Sequence, residues 1–189
     1  MHREQTRTDV AGEFSGRLEN LGQAWRLRAP ELASLLDEVV AGFREQRDAP
    51  ETRKTHLFGG RYENIYIARE RIPALAPILD TATAAAATIV SATAPLRAGF
   101  WFNEMQPGHE TTLHTHDDDD ELLSGVFYLT VPEGSGDLLL GRPGEQRAIP
   151  PLVSSFVFFS PQLPHAVGKN RSDALRLSIG MNFGIDREA

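Results

Sequence analysis

The second half of this chain repeats one pattern, in which short segments rich in β-forming residues are each closed by turn residues before the next begins. Such segments are predicted at 99–105, 111–116, 122–131, 137–140, 153–159, 166–168 and 175–183. The turns between them are marked by Pro107-Gly108, Glu133-Gly134-Ser135-Gly136 and Arg142-Pro143-Gly144. Strands this short, with turns this regular, are typical of a β-sandwich or a β-barrel. We therefore predict a mainly β fold of about eight strands for this half.

The first half of the chain carries helical patterns instead. A helix is predicted from Pro30 to about Gln46, because apolar residues recur there on one face and proline suits the first turn of a helix. A second helix is predicted from Ile72 or Pro73 to about Ser91, across an alanine-rich stretch, since alanine is the best helix former. Flanking helices of this kind are expected to pack on the outside of the β fold.

The two halves are expected to form one folding domain. The chain has 189 residues, a length that usually builds a single core. Between the two helices, residues 61–67 alternate as a strand would. We predict that residues 1–95 form an N-terminal helical segment, packed outside a β core made by residues 96–189.

Composition excludes several kinds of partner and site. The chain has no cysteine, so a bound metal must be held by nitrogen or oxygen ligands. A formal net charge of -7 argues against a nucleic-acid-binding surface. No apolar run approaches the roughly 18 residues that a membrane span needs, and the polar N-terminus lacks the apolar stretch of a signal peptide. We expect a cytoplasmic protein that acts on a small-molecule substrate, with no nucleic-acid or membrane partner. A homodimer stays open.

Three of the six histidines occur in a pattern that favours a metal site. His114 and His116 are separated by one residue on a predicted strand, so both imidazoles should project from the same face. His165 follows a later strand and the turn that closes it. Two strand ligands and one distant histidine would hold one side of an ion and leave its other positions open for substrate and oxygen. We predict that these three residues bind one non-haem metal ion.

A second ligand set stays open, because His116 and Asp118 also form a His-x-Asp pair with one strand parity. Two observations favour His114 over Asp118. The turn residue Gly108 precedes His114 at a distance that suits a strand reaching the site there. The unbroken acidic run at 117–121 is more typical of a solvated loop than of a strand interior.

Four motifs between residues 97 and 184 resemble those of a known superfamily. They are Trp101-Phe102-Asn103, His114-Thr115-His116, Ser124-Gly125-Val126-Phe127-Tyr128-Leu129 and Pro161-Gln162-Leu163-Pro164-His165. The chain is similar in them to small bacterial members of the iron(II)- and 2-oxoglutarate-dependent oxygenases. That resemblance implies a double-stranded β-helix, also described as a jelly-roll or cupin-like barrel. It implies Fe(II), 2-oxoglutarate as cosubstrate and O2 as oxidant, used to hydroxylate or otherwise oxidise a small molecule. The superfamily's usual pair is His-x-Asp, from which His-x-His departs.

The same resemblance extends to the cosubstrate. Ten residues separate His165 from Arg176-Leu177-Ser178, as commonly found in this superfamily, where the arginine and serine bind the distal carboxylate of 2-oxoglutarate. A guanidinium matches a carboxylate with two parallel hydrogen bonds, and a hydroxyl adds a third. Arg176 and Ser178 share one face of the last strand. Asn103 and Tyr128 are further candidates for cosubstrate binding, although a structural amide and a core tyrosine are the alternatives.

Two other functions stay open. The run Gly108-x5-His114-x-His116-x4-Glu121 also resembles the first cupin motif, although Tyr128 stands where a cupin carries glycine. That reading implies a three-histidine dioxygenase or isomerase that uses no 2-oxoglutarate, with Arg176 binding a substrate carboxylate. A third reading is a non-catalytic barrel that binds a metal or ligand. Succinate release coupled to oxygen uptake separates the first function from the other two.

Overall fold

The structure, a computed structural model, describes residues 16–116 and 120–187. Within these residues the chain forms eleven strands and two α-helices. In chain order the strands are β1 (Leu18–Asn20), β2 (Ala24–Arg28), β3 (Arg53–Phe58), β4 (Arg61–Tyr66), β5 (Leu96–Met105), β6 (Glu121–Thr130), β7 (Leu138–Leu140), β8 (Arg147–Ile149), β9 (Ser155–Phe159), β10 (His165–Val167) and β11 (Arg176–Ile185). The mainly β class predicted from the sequence is confirmed.

The strands form two antiparallel sheets. The larger sheet has eight strands in the order β1-β2-β9-β6-β11-β5-β4-β3, and the smaller has three in the order β10-β7-β8. In the larger sheet β11 pairs with β5 on one side and β6 on the other. The two strands that flank it come from distant parts of the chain, so the sheet is assembled mostly through long-range contacts.

Both predicted helices are present on one face of the larger sheet. The first is α1 (Leu36–Gln46), preceded by the 3₁₀ helix Pro30–Leu35, and the second is α2 (Leu75–Val90). Phe43 on α1 is fully buried, and its ring centroid lies 4.8 Å from that of Phe102 on β5. In the described part of the chain neither helix is long and apolar enough to cross a bilayer.

Strand parity on β11 divides the interior into two regions. Leu177, Ile179 and Phe183 belong to the core between the sheet and the helices. The opposite parity carries Arg176 and Ser178, which line a cavity on the other face. That cavity lies beside a second apolar cluster, made of residues from both sheets, namely Ala24, Tyr128, Leu138, Leu140, Ile149, Val157 and Phe159. The helices are therefore separated from the cavity by the sheet.

The N-terminal residues contribute more strand than the sequence predicted. Strands β1, β2 and β3 were not predicted, and with β4 they extend the larger sheet at both edges. The helical description of residues 1–95 is therefore incomplete, because strands on either side of residue 95 pair in one sheet. The division of the chain at that position stays a prediction.

The predicted strand 111–116 is not a regular strand, and this corrects the sequence analysis. It forms one isolated β-bridge, between His114 and His165, and not a continuous ladder. The backbone N–H of Thr112 donates to the side chain of Glu63, 3.1 Å away, instead of to a strand carbonyl. A strand needs backbone partners along its length, and a side-chain carboxylate takes that place here.

Gly136, in the turn before β7, packs directly against the backbone of Gly168, which follows β10. Gly136 has a left-handed φ of +94°, and a Cβ placed on it would lie 2.0 Å from the Gly168 carbonyl oxygen. Gly134 in the same turn has φ +75° and nothing within 4 Å of such a Cβ.

Gly134→Ala should lower the free energy of unfolding by about 1 kcal/mol, the usual penalty for a left-handed alanine. Gly136→Ala should lower it by about 3 kcal/mol or more, because the backbone must also move. Equal losses in urea unfolding would contradict this account.

Candidate metal centre

The three predicted metal-binding histidines lie together on one side of the cavity. His114 and His165 face each other in the isolated bridge, with backbone N–H to carbonyl distances of 3.0 and 2.9 Å. The His116 N–H donates to the Pro161 carbonyl at 2.8 Å, which extends the same pairing by one step. Ring centroids are 4.3 Å apart for His114 and His165, 4.9 Å for His114 and His116, and 5.0 Å for His116 and His165. One candidate ligand atom from each residue lies within 4.8 Å of the others.

Hydrogen bonds fix the ring nitrogens of two of these histidines. The Nδ1 atom of His114 lies 2.9 Å from the Thr112 carbonyl oxygen, and that of His165 lies 2.9 Å from the Leu163 carbonyl oxygen. A carbonyl oxygen only accepts, so each Nδ1 must carry a proton, and in the neutral form of the ring the lone pair is then on Nε2. Carbonyl partners of this kind commonly orient histidine ligands of metal ions.

The protonation state of His165 also suits a metal ligand. Burial, together with the neighbouring His114, lowers the pKa of His165 to about 3, although the hydrogen bond to Leu163 opposes the shift. The imidazole is therefore neutral at neutral pH, as metal coordination requires. Three imidazoles in a half-buried cluster fit a divalent transition-metal ion, for which imidazole is a common ligand.

At another part of the same cavity, Arg176 is buried with most of its donors unused. The residue is 1% exposed, and its Nη1 donates to the sulfur of Met105 at 3.0 Å. Its Nε and Nη2 atoms have no hydrogen-bond partner among the described residues, and neither does the hydroxyl of the fully buried Tyr128. Burial lowers the pKa of Arg176, and Tyr128 partly opposes that shift. An unpaired buried guanidinium is expensive, so this arrangement calls for an anion from outside the chain.

The other predicted cosubstrate residues lie in a row beside Arg176. Ser178 on β11 is paired with Asn103 on β5 and with Tyr128 on β6. All four residues line one cavity of about 410 Å³ that the three histidines also line. The Asn103 Oδ1 atom is buried and has no partner among the described residues. The structure thus brings the seven favoured site residues to one cavity, while the alternative ligand Asp118 lies outside the described residues.

Trp101 and Tyr66 form an aromatic wall beside the histidines, and a glycine leaves the space that the indole of Trp101 occupies. The Trp101 ring centroid lies 5.5 Å from that of His116 and 6.2 Å from that of Tyr66. A Cβ on Gly180 would lie 2.5 Å from Cε2 of Trp101, so the indole lies directly against the backbone of β11. Gly180 stands between Ser178 and Asn182 on the cavity-facing parity. The wall was not predicted from the sequence, and the signal that could have indicated it is this glycine in a row of polar side chains.

A row of hydrogen-bonded polar side chains lies at the end of the cavity away from Arg176. The Ser124 hydroxyl donates to Oδ1 of Asn182 at 2.9 Å, and Nδ2 of Asn182 donates to Oε1 of Glu121 at 2.7 Å. All three residues line the cavity. Their hydrogen bonds in the cavity could not be predicted from the sequence, because bonds between residues 58 and 61 positions apart leave no local pattern.

Glu63 is a further residue of the cavity that was not predicted from the sequence. Its carboxylate binds Thr112 at the edge of the cavity, and the residue is only 6% exposed. The sequence feature that could have indicated Glu63 is the alternation of its strand, because Glu63 shares parity with the buried Ile65 and Ile67. A charged residue in a buried register is uncommon unless it has a specific partner.

No family model matches the sequence, and no curated protein is significantly similar to it. Solved structures of the same fold were found at low identity. The epimerase SnoN, in complex with Fe3+, alpha ketoglutarate and nogalamycin RO, has a TM-score of 0.68 at 16% identity, covering 86% of this chain and 79% of that chain. The non-heme alpha ketoglutarate-dependent carbocyclase SnoK has a TM-score of 0.66 at 15% identity, with coverages of 86% and 79%. A prolyl-4-hydroxylase from Pseudomonas putida has a TM-score of 0.62 at 19% identity, with coverages of 86% and 92%. This chain therefore has the fold of these enzymes.

Proposed function

We propose that the protein is a non-haem iron(II)- and 2-oxoglutarate-dependent oxygenase that hydroxylates or otherwise oxidises a small molecule. The observation that carries this proposal is the buried Arg176, whose Nε and Nη2 atoms have no hydrogen-bond partner among the described residues. It lines the same cavity as three histidines suited to a metal ion. A dicarboxylate with a chelating end would serve both, one carboxylate at the arginine and the keto acid at the metal. We also propose that the two sheets form a double-stranded β-helix.

Each of the chain's own groups has a task in this scheme. His114, His116 and His165 would hold the iron. Arg176 and Ser178 would hold the distal carboxylate of 2-oxoglutarate, the guanidinium by two parallel hydrogen bonds. When bound, iron and 2-oxoglutarate together supply the activation of O2, which no side chain can provide.

Tyr128 and Asn103 would complete the cosubstrate end. Burial raises the pKa of Tyr128, so its hydroxyl stays protonated and can donate a hydrogen bond to a carboxylate. Asn103 lies directly across Ser178 with its amide oxygen still unpaired among the described residues. A carboxylate would supply the acceptor that the Tyr128 hydroxyl lacks, and Asn103 would bind it through its Nδ2 donor, since its Oδ1 can only accept.

The substrate would lie towards the opposite end of the cavity. Ser178 and Asn182 are four residues apart on β11, which corresponds to roughly 13 Å along a strand. Trp101 and the polar row that includes Asn182 would line this end, next to His116. The SnoN structure with Fe3+, alpha ketoglutarate and nogalamycin RO supports a site for all three, because a protein of this fold there holds a metal, a cosubstrate and a small molecule.

The second candidate function is a three-histidine dioxygenase or isomerase without 2-oxoglutarate. The observation that favours it is the donor set, which among the described residues consists of three histidines and no carboxylate. In that case Arg176 would bind a carboxylate of the substrate directly. Turnover that consumes 2-oxoglutarate and releases succinate decides between the two functions.

The first prediction from this proposal concerns the metal ligands. His114→Ala and His165→Ala should each lose most of the bound iron, because each removes one of three protein ligands. Asp118→Ala should keep most of its iron and is the matched control. The measurement is iron content after anaerobic loading and desalting, with circular dichroism to show that each variant folds. Greater iron loss in Asp118→Ala than in His114→Ala would transfer the ligand to Asp118.

The second prediction concerns Arg176. A buried charge that loses its partner costs about 3–5 kcal/mol, and 1.4 kcal/mol is about a tenfold change in affinity. Arg176→Met should therefore weaken 2-oxoglutarate binding by about a hundredfold or more. It should also raise the stability of the ligand-free protein by about 1 kcal/mol, since an apolar side chain replaces an unpaired charge. Arg176→Lys should recover only part of the affinity, because an ammonium lacks the planar fork.

The measurement is an anaerobic titration of the iron-loaded protein with 2-oxoglutarate, followed by the absorption band of the iron–cosubstrate complex. Arg97→Ala is the control, because Arg97 lines the other end of the cavity, where it pairs with Asp120. Its dissociation constant should match that of the wild type. Unchanged affinity in Arg176→Met would refute the assignment of Arg176, and the absence of any such band in the wild type would favour the second function.

A further inference from the structure

Residues 111–116 form the ligand-bearing segment, which carries His114 and His116. The contacts that hold it differ between its two sides. On the side of β10, the Thr111 N–H donates to the Val167 carbonyl at 3.1 Å, and the Thr111 hydroxyl accepts from the Val167 N–H at 2.7 Å. The His114 bridge to His165 continues this contact. On the side of β4, side chains replace the ladder of backbone bonds that a neighbouring strand would supply.

Glu63 on β4 makes the central contact on that second side. Its Oε1 atom accepts from the Thr112 backbone N–H and its Oε2 atom accepts from the Thr112 hydroxyl, both at 3.1 Å. Both oxygens of one carboxylate are thus directed at one residue. Glu63 is 6% exposed, so these bonds are shielded from water.

Arg61, two residues earlier on β4, supports the same contact. Its Nη2 atom donates to the Glu110 carbonyl at 2.7 Å, and its Nη1 atom donates to the Glu104 carbonyl at 3.3 Å. The same guanidinium lies 3.7 Å from Oε1 of Glu63. Arg61 therefore fixes the start of the ligand-bearing segment while it balances the buried charge of Glu63.

Thr112 connects this contact to the metal centre. Its N–H and hydroxyl are held by Glu63, and its carbonyl accepts the Nδ1 proton of His114 at 2.9 Å. The orientation of Thr112 thus sets the tautomer and the ring direction of His114. The Leu163 carbonyl accepts the Nδ1 proton of His165 in the same way. The Glu63 carboxylate binds Thr112, so it supports the carbonyl partner of His114 and not that of His165.

We infer that Glu63 is a positioning residue that acts through Thr112 to direct Nε2 of His114 at the metal ion. The inference rests on the proposed function only in that the ion is taken to bind His114. Glu63 is not itself a ligand in this arrangement, because both of its oxygens are engaged by Thr112. Among the described residues the cluster of candidate ligands contains the three histidines alone.

The test compares Glu63→Ala with Glu104→Ala. Glu104 is a matched control, because its carboxylate is almost equally buried at 7% exposed and also pairs with an arginine, Arg47. Its carboxylate accepts hydrogen bonds from Arg47 and Gln106, whereas that of Glu63 accepts from Thr112. Both variants should lose stability in urea unfolding. Only Glu63→Ala should bind Mn2+ more weakly, by about 10- to 100-fold, as is usual when a residue that orients a metal ligand is removed.

Two further variants separate positioning from general damage. Glu63→Gln keeps one acceptor oxygen and should recover most of the Mn2+ affinity. Thr112→Val removes the hydroxyl donor but keeps the backbone bond, so its affinity should fall between those of the wild type and Glu63→Ala. Mn2+ affinity of Glu63→Ala equal to that of Glu104→Ala would overturn the inference.

A second measurement is independent of the metal. In the metal-free full chain, nitrogen NMR of the imidazoles should show His114 and His165 both protonated at Nδ1. Glu63→Ala should mix the tautomers of His114 and leave His165 unchanged, whereas unchanged signals from both would overturn the positioning role. If wild type binds no Mn2+ while His114 alone responds, the proposed function fails and the control of His114 by Glu63 stands.

Discussion

The pairing of β11 with β5 and β6 is the constraint on which the rest of the structure depends. This strand is paired on both sides along most of its ten residues, and its alternation assigns apolar side chains to the helices and polar ones to the cavity. A slip of one residue would exchange the two faces, placing Arg176 against α1 and α2 and Ile179 in the cavity. Correct register is therefore needed for the core and for the site together.

How much the sequence could predict follows from which contacts are local. The alternation of β11, the two helices and the His114–His116 pair depend on nearby residues, and the structure places them as expected. His165 is distant in the sequence, and the structure brings it to that pair. Strands β1 and β3 were missed because they are edge strands whose sequences, such as Arg53–Phe58, are largely exposed and do not alternate. The irregular backbone at 111–116 was missed because its partner is a side chain from a distant strand. The roles given to iron, 2-oxoglutarate and Asp118 stay predictions.

The cavity shows a conflict between stability and binding. Arg176 and Tyr128 hold polar groups in the interior that no described residue satisfies, which lowers the stability of the empty protein. A ligand that satisfies them binds only the folded chain and so raises its stability in proportion to its affinity. Selection for stability alone would replace Arg176 with an apolar side chain of similar volume, so its presence is better explained by a ligand than by folding.

The missing side chain at Gly180 has an optical consequence. Because nothing stands between the indole of Trp101 and the strand, the ring lies 5.5 Å from the ring of His116. The chain has two tryptophans, and the other, Trp25, lies on β2, separated from β5 in the larger sheet by β9, β6 and β11. Trp101 is thus next to the histidine cluster, and Trp25 is remote from it. Under the proposed function, the emission of Trp101 would report metal occupancy, with Trp25 as an internal reference in the same sheet.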